Sequence, residues 1–242
     1  MLAGGRGTRL GELARETPKT LVPVGGTPFA DIQLRWLADQ GVGHVVYSIG
    51  HLGDQIRAFV GDGGRWGIRV DYVDDGDTLR GTGGGLRLAA DAGVLAERSF
   101  VLYGDSYLTV DLAEMWRSHL AGGRPATMAV FRNDGRYDSS NVALEEGRLI
   151  RYDKSRPPDW APRMHHIDYG ISVFDRDVVV SEIPADAVSD LADLQHRLSL
   201  DDRLGAYEVH ERFYEIGTPE GLAELEEHLA QTDDDPTPLP HR

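Results

Sequence analysis

The sequence predicts an α/β protein: a mainly parallel but mixed sheet covered by helices on both faces, with a smaller β-containing lobe from its C-terminal half. Three observations lead there. Over residues 28–132, short runs rich in Val, Ile and aromatic side chains alternate with segments of helical apolar spacing. Strand–helix alternation at that density buries a parallel sheet between two helical layers. Most of the helical segments end at a glycine, the residue best able to close a helix. Beyond residue 133 the alternation gives way to turn-separated apolar runs, which read as hairpins.

In chain order, the first element is the shortest. A sheet of this kind begins with a buried strand feeding a loop, yet only Met1, Leu2 and Ala3 stand before Gly4, against a usual strand of about 5–6 residues. The strand is therefore expected to start several residues upstream of Met1. "PFADIQLRWLADQG" (28–41) carries helical spacing, "HVVYSIG" (44–50) reads as a strand, 53–63 as a helix and "IRVDYVDD" (68–75) as a strand. A helix over 84–93, the strand "SFVLYGD" (99–105), a helix over 110–123 and the strand "ATMAVFR" (126–132) follow. "NVALEEGRLIRYDK" predicts a hairpin turning at Glu146-Gly147, "HHIDYGISVFD" (165–175) a strand, 189–199 a helix, and "AYEVH" with "RFYEIG" a strand pair. "TPEGLAELEEHLA" (218–230) opens like a helix, with Thr218 as N-cap, Pro219 in the first helical position and acids in the first turn. Residues 231–242, polar and Pro-rich, are expected to form a disordered tail. The simplest organisation is one domain over 1–230, divided at about residue 133, with no internal repeat.

Composition narrows the function. The chain has 242 residues and a formal net charge of −15. That much negative charge repels phosphate backbones, so neither nucleic acid nor an anionic membrane is an expected partner. Local cations and backbone N–H groups still permit a small anionic ligand. The absence of cysteine excludes disulfides, thiolate metal sites and a cysteine nucleophile. No apolar run approaches the roughly 20 residues that span a bilayer, and no signal peptide precedes the first glycines, so a cytoplasmic location is the default expectation.

The opening stretch, "MLAGGRGTRLGELARETPKTLVPVGG", holds the sharpest local signal. Of 25 Lys+Arg residues, only Lys19 and Lys154 are lysines. A compact ammonium and a planar guanidinium do different work, which singles out both positions. Gly4, Gly5 and Gly7 let the backbone approach a phosphate with N–H groups turned inward. A flexible entry loop would use the same glycines, and the spacing is neither a dinucleotide fingerprint nor a Walker A loop. Asp105, in "LYGDS", ends a strand and so points toward the ligand crevice of an open α/β sheet, although Gly-Asp is also a common turn pair. The adjacent His165 and His166 point to opposite faces of a strand, and no metal role is expected of them.

"LAGGRGTRL" followed by "PKTLVPVGG" resembles the opening motif of the sugar-1-phosphate nucleotidylyltransferases, G-G-x-G-T-R-L…P-K, and further landmarks of that family recur in order to about residue 228. The resemblance implies the family's Rossmann-like three-layer αβα sandwich. It implies that Leu2, Ala3, Gly4, Gly5, Gly7 and Thr8 hold the nucleotide, with Arg9 and Lys19 as the catalytic cations on the triphosphate and Arg6 contributing less directly. "RGTGGGLRLA" resembles the segment beside the nucleobase, so Gly81, Thr82 and Gly83 would present backbone groups to a base edge. A plain helix N-terminus capped by Thr82 is the other reading, and Arg80 stands where the family has an apolar residue.

By the same resemblance, Asp105 would take the role of a Mg²⁺ ligand. "RYDKSRPP" resembles the family's E-K-P segment, which makes Lys154 the anchor of the sugar phosphate, with Asp153 in place of glutamate. In "HHIDYGISVFD", Gly170 would let a strand pass close to the sugar, Asp168 or Tyr169 would touch its hydroxyls, and Asn141 would face it. "RFYEIGTPEGL" resembles the W-x-D-I-G-T-P segment, whose acid is a second Mg²⁺ ligand. Glu215 here is one methylene longer than that acid and would bind directly or through a water.

The implied reaction is Mg²⁺-dependent attack of a sugar 1-phosphate on an NTP, giving an NDP-sugar and pyrophosphate. The chain's length is that of the short members acting on heptose-, mannose- or N-acetylmuramate-phosphates. Two alternatives remain: a cytidylyltransferase for phosphocholine or another non-sugar phosphate, and a regulatory module that binds nucleotide without turnover. The base, the sugar and any homo-oligomer are left open.

Overall fold

The computed structural model describes residues 1–233 apart from 6, 12 and 77. After the opening glycines come a 3-10 turn (Thr8–Leu10), a short helix α1 (Leu13–Glu16), a second 3-10 turn (Lys19–Leu21) and a small hairpin, β1 (Pro23–Val24) with β2 (Thr27–Pro28). The predicted alternation then runs through α2 (Phe29–Asp39), β3 (His44–Ile49), α3 (Gly53–Val60), β4 (Arg69–Asp74), α4 (Gly81–Asp91) and β5 (Arg98–Leu102). It continues through a short β6 (Ser106–Tyr107), α5 (Leu112–Gly122) and β7 (Ala126–Arg132). Asp111 caps α5 by accepting from Glu114 N at 2.8 Å, and Gly123 closes it in the left-handed region.

The C-terminal half begins with the hairpin of β8 (Val142–Glu145) and β9 (Arg148–Tyr152). It turns at Glu146-Gly147 with φ of 51° and 77°, the left-handed pair that a tight two-residue turn requires. Then follow β10 (His166–Asp175), α6 (Arg176–Glu182), α7 (Leu191–Leu200), β11 (Leu204–Val209), β12 (Tyr214–Glu215) and α8 (Pro219–Asp233).

Residues 1–3 act as the central strand. Leu2 bridges in parallel to both Ser48 and Tyr103. Leu2 N donates to Leu102 O (2.9 Å), Ala3 N to Ser48 O (2.8 Å), and Gly104 N to Leu2 O (2.9 Å). Outward on one side lie β3 and β4, paired in parallel. On the other side β5 pairs antiparallel with β10, β10 antiparallel with β7, and β7 parallel with β11. The sheet is thus parallel at both flanks with the antiparallel strand β10 inserted between β5 and β7, and the β8–β9 hairpin joins it where Val142 pairs with His166. That strand comes from the C-terminal half, so residue 133 marks no seam in the sheet.

Two apolar cores cover the two faces. One packs α2, α3 and α5 against the sheet through Leu34, Ile56 and Met115; the other packs α4, α6 and α7 through Leu86, Val179 and Leu194. Leu34, Ile56, Met115, Val179 and Leu194 are fully buried. Each such side chain stabilises the fold by about 1.5–3 kcal/mol.

Two expectations are corrected, and one element stands where none was read. "AYEVH" and "RFYEIG" do not pair with one another: β11 extends the free edge of β7, while β12 pairs with β6, Glu215 opposite Ser106. The valine run of "RDVVVSE" forms α6 despite its β propensity, because Val178 and Val179 bury against the sheet and tertiary packing overrides propensity. The tail prediction gives way over residues 231–233, where α8 continues with no proline to stop it. Residues 234–242, like Arg6, lie outside the described residues.

Candidate active site

Five segments, Ser48 of β3 among them, meet around a cavity of about 300 Å³ at the C-terminal ends of the parallel strands. The glycine loop contributes Leu2, Ala3, Gly4, Gly5, Gly7 and Arg9, and the second 3-10 turn contributes Lys19 and Thr20. The β4–α4 connection supplies Asp75, Leu79, Gly81 and Thr82, and the end of β5 supplies Tyr103, Gly104 and Asp105. Gly83, Asn141, Lys154, Asp168, Gly170 and Glu215 lie outside this lining. A larger cavity, about 860 Å³, opens between β3 and β5; of the predicted site residues it touches Leu2 alone.

Charge is concentrated at one side of the smaller cavity. Lys19 Nζ forms an ion pair with Asp105 Oδ2, both side chains being largely buried. Pairing of β12 with β6 brings Glu215 alongside, and Ile216 N donates to Asp105 O at 3.0 Å. Burial, then the neighbouring negative charge of Asp105, pushes the Glu215 carboxyl up to about 7, against the opposing pull of Lys19 and Arg9. Gly217 explains how the cations reach this point: a β-carbon there would sit 2.9 Å from Lys19 Nζ and 3.5 Å from Arg9 Nη2. A β-carbon at this position would displace the Lys19 ammonium. No cluster of three or more His, Asp or Glu side chains suited to a metal occurs among the described residues. Asp105 and Glu215 therefore offer a two-carboxylate set, which suits Mg²⁺, an ion that keeps several waters and takes further oxygens from substrate phosphates.

The first turn of α4 is built on glycines for a packing reason. β-Carbons on Gly81 and Gly84 would lie 2.6 Å from Ser189 O and 2.5 Å from Ala187 O. The Gly83 N–H is taken by Ser189 O at 2.8 Å, so it is not free to meet a base edge. Thr82 does not cap α4. Its hydroxyl donates to Asp190 Oδ1 and accepts from Leu191 N, both at 2.8 Å, which ties α4 to the start of α7. Arg80, the departure from the family pattern, turns its guanidinium to Asp186 at 2.8 Å. Asp75 was not anticipated from the sequence. It is 8% exposed, its Oδ2 accepts Arg80 N at 3.0 Å, and burial holds its carboxyl above the usual range.

The predicted sugar-phosphate residues gather next to this. Lys154 Nζ is 3.9 Å from Asp190 Oδ2, so Asp190, also unanticipated, links Lys154 to Thr82. Asp168 N donates to Asn141 Oδ1, and Gly170 N donates to Asp168 Oδ1, each at 3.0 Å. Burial pushes the Asp168 carboxyl up to about 6, with Lys154 opposing. Gly170 has φ +94°, at the register shift between Asp168 and Ser172, and a β-carbon there would come 3.0 Å from Ser106 Oγ. The bulge thus turns β10 directly beneath the Asp105 turn, and Tyr103 N donates to Gly170 O at 3.3 Å. Tyr169 is turned away into the core, where its hydroxyl meets Thr109 Oγ1 at 2.9 Å. His165 and His166 take separate partners, Asp134 and Glu208.

Comparison with known proteins gives concordant results. The family model described as the MobA-like NTP transferase domain matches residues 1–200. The mannose-1-phosphate guanylyltransferase of Mycobacterium tuberculosis is 32% identical over 182 residues, covering 74% of this chain and 49% of that protein. The D-glycero-alpha-D-manno-heptose 1-phosphate guanylyltransferase of Aneurinibacillus thermoaerophilus is 24% identical over 232 residues, covering 95% of this chain and 96% of that protein. Among solved structures, HddC from Yersinia pseudotuberculosis matches with a TM-score of 0.75 at 23% identity, covering 94% of this chain and 97% of that one; this is a likeness of fold. The chain spans 49% of the Mycobacterium relative and 58% of a UTP–glucose-1-phosphate uridylyltransferase from Synechocystis sp..

Proposed function

The chain belongs to the MobA-like NTP transferase family, and on that premise we propose that it transfers a nucleotidyl group from an NTP to a sugar 1-phosphate, releasing pyrophosphate. The observation that carries the reading is the convergence of Arg9, Lys19, Asp105 and Glu215 beside a glycine loop. The printed names of the relatives, which act on mannose, heptose and glucose 1-phosphates, support a hexose or heptose 1-phosphate as acceptor.

An oxygen of the sugar phosphate forms a bond to the α-phosphorus while the bond from that phosphorus to the bridging oxygen breaks, and the electron pair leaves with pyrophosphate. The attacking phosphate is already anionic, so no strong base is required. The barrier is the meeting of two anions, which makes catalysis a matter of positioning and charge neutralisation. Arg9 and Lys19 neutralise the triphosphate and the leaving pyrophosphate, with the glycine loop's N–H groups closing around it. Lys154 anchors the acceptor phosphate as a point charge. Asp168, oriented by Asn141 through its backbone N–H, accepts from sugar hydroxyls. Asp105 and Glu215 would hold Mg²⁺, which would supply divalent charge to offset that of the reacting phosphates.

The test is a matrix of nucleoside triphosphates against sugar 1-phosphates, with Mg²⁺ and pyrophosphate as readout. The expected result is pyrophosphate release only when both substrates are present, abolished by EDTA and restored by Mg²⁺. Stoichiometric nucleotide binding without pyrophosphate would make the protein a binding module. Turnover with phosphocholine but no sugar phosphate would move it to the other transferase class.

A further inference from the structure

We propose that Asp190 is a positioning residue for the acceptor: braced by Thr82 at the edge of the nucleotide cavity, its carboxylate aims the Lys154 ammonium at the sugar phosphate. The inference rests on the nucleotidyl-transfer reading and adds to it a device that holds the acceptor in register with the nucleotide. The starting observation is a carboxylate fixed on one side and open on the other. Asp190 is the N-cap of α7, and its Oδ1 accepts from Ala192 N at 3.0 Å and from the Thr82 hydroxyl at 2.8 Å. Its Oδ2 faces Lys154 Nζ at 3.9 Å, an attraction between charges beyond hydrogen-bond distance.

A seam of backbone holds that carboxylate in place. Ser189 O accepts from Gly83 N at 2.8 Å and from Gly84 N at 3.2 Å, and Ser189 N donates to Arg80 O at 2.9 Å. Leu191 N donates to the Thr82 hydroxyl at 2.8 Å. Thr82 itself lines the nucleotide cavity, so the position of the Asp190 carboxylate is set from the nucleotide side.

Lys154 needs such a reference point. It lies just beyond β9 with its side chain half-exposed, on a flexible four-carbon stem. Two carboxylates act on it from other elements, Asp168 of β10 and Asp190. Burial pushes the Asp168 carboxyl up to about 6. Against burial, which alone would raise it, the Ala192 N–H, Lys154 and the Thr82 hydroxyl hold the Asp190 carboxyl below the usual range. Asp190 is therefore the one of the two that stays ionised through mildly acidic and neutral pH. A half-exposed pair at this distance adds little to stability. Its use is in direction: it confines the ammonium, yet none of the three N–H donors is spent on Asp190, which leaves them for phosphate oxygens. Misplacing a reacting group by about one ångström can cost roughly a hundredfold in rate, which is what a fixed charge beside a flexible lysine guards against.

The experiment compares wild type, Asp190→Asn, Lys154→Met and the double variant. Each is assayed for pyrophosphate release with mannose 1-phosphate or glucose 1-phosphate and the NTP that the substrate matrix selects, and each is titrated with the same two sugar phosphates at equilibrium. Asparagine keeps the cap and an oxygen for Thr82 and removes only the charge, so the melting temperature is expected to match wild type. The KM for the sugar phosphate is expected to rise about tenfold while that for the NTP stays within about twofold. With Lys154→Met already in place, Asp190→Asn is expected to change nothing further. A lower acceptor KM in Asp190→Asn, the result of simple repulsion between the carboxylate and the incoming phosphate, overturns the assignment. So does a full effect in the absence of Lys154, or a lower melting temperature with both KM values raised, the signature of a structural role. Turnover by wild type with an unchanged acceptor KM in Asp190→Asn sinks this inference alone. Weaker sugar-phosphate binding by Asp190→Asn, with no pyrophosphate released by wild type, sinks the transfer reading alone. A wild type that binds neither sugar phosphate removes the anchor, and this inference with it.

Discussion

Asp168 shows at the scale of one residue how burial sets chemistry. Its carboxyl titrates near 6 in the fold against an ordinary value of 3.8, chiefly because it is buried, with Lys154 pulling the other way. Between those two values the folded state holds more protons than the unfolded chain. The contribution to stability is therefore complete below about 3.8 and is lost as pH rises through about 6. Asp168→Asn is expected to remove that loss, so thermal unfolding followed from pH 4 to 7 shows a shallower decline than wild type; an identical slope in both proteins refutes the assignment. Legibility at this scale followed chemistry rather than position. Arg9, Lys19, Asp105 and Lys154 were readable because lysine is scarce and the motif order is specific. Asp75 closes "IRVDYVDD", which reads as a strand without marking its last acid for a site, and its burial is a tertiary fact. Asp190 joins Thr82 to Lys154 across 108 residues of chain, a contact that no local pattern announces.

Elements were legible where their apolar period was long and their ends were punctuated, as in α2, α5 and the β8–β9 hairpin. The β11–β12 pairing was misread because adjacency in sequence stands in for adjacency in space only when no free sheet edge competes, and β7 offered one. The glycine run "GTGGG" illustrates a different limit. It opens α4, yet its composition answers to the backbone of residues 187–190 pressed against it. Gly84→Ala is expected to destabilise the protein by about 1–3 kcal/mol through overpacking, since the added carbon meets Ala187 O at 2.5 Å. Gly122→Ala, in the last turn of α5 with nothing within 4 Å, is expected instead to stabilise by about 0.4–1 kcal/mol. Chemical denaturation of the two variants checks both signs. A neutral Gly84→Ala would mean that the 187–190 segment does not pack on α4.

On the scale of the whole molecule, the site is assembled from segments as far apart as residues 2 and 217, brought together by one sheet. Residues 1–3 place the glycine loop, β5 places Asp105, and β12 carries Glu215 to it. The inserted strand β10 bulges at Gly170 so that Asp168 shares the same end of the sheet. The α/β class and the order of its parts were visible in the sequence, whereas the convergence of Arg9, Lys19, Asp105 and Glu215 was supplied by strand order and by the side-chain-free space at Gly217. On the proposed function, a protein of net charge −15 must neutralise two anionic substrates locally, and Lys19, paired with Asp105, would stand at the centre of that arrangement. The most direct measurement is kcat/KM for pyrophosphate release by Lys19→Ala, taken with its melting temperature and its affinity for nucleotide. The account predicts a fall of at least about a hundredfold with the fold intact and nucleotide still bound; a loss of less than about threefold, well below what one preorganised charge contributes, would contradict it.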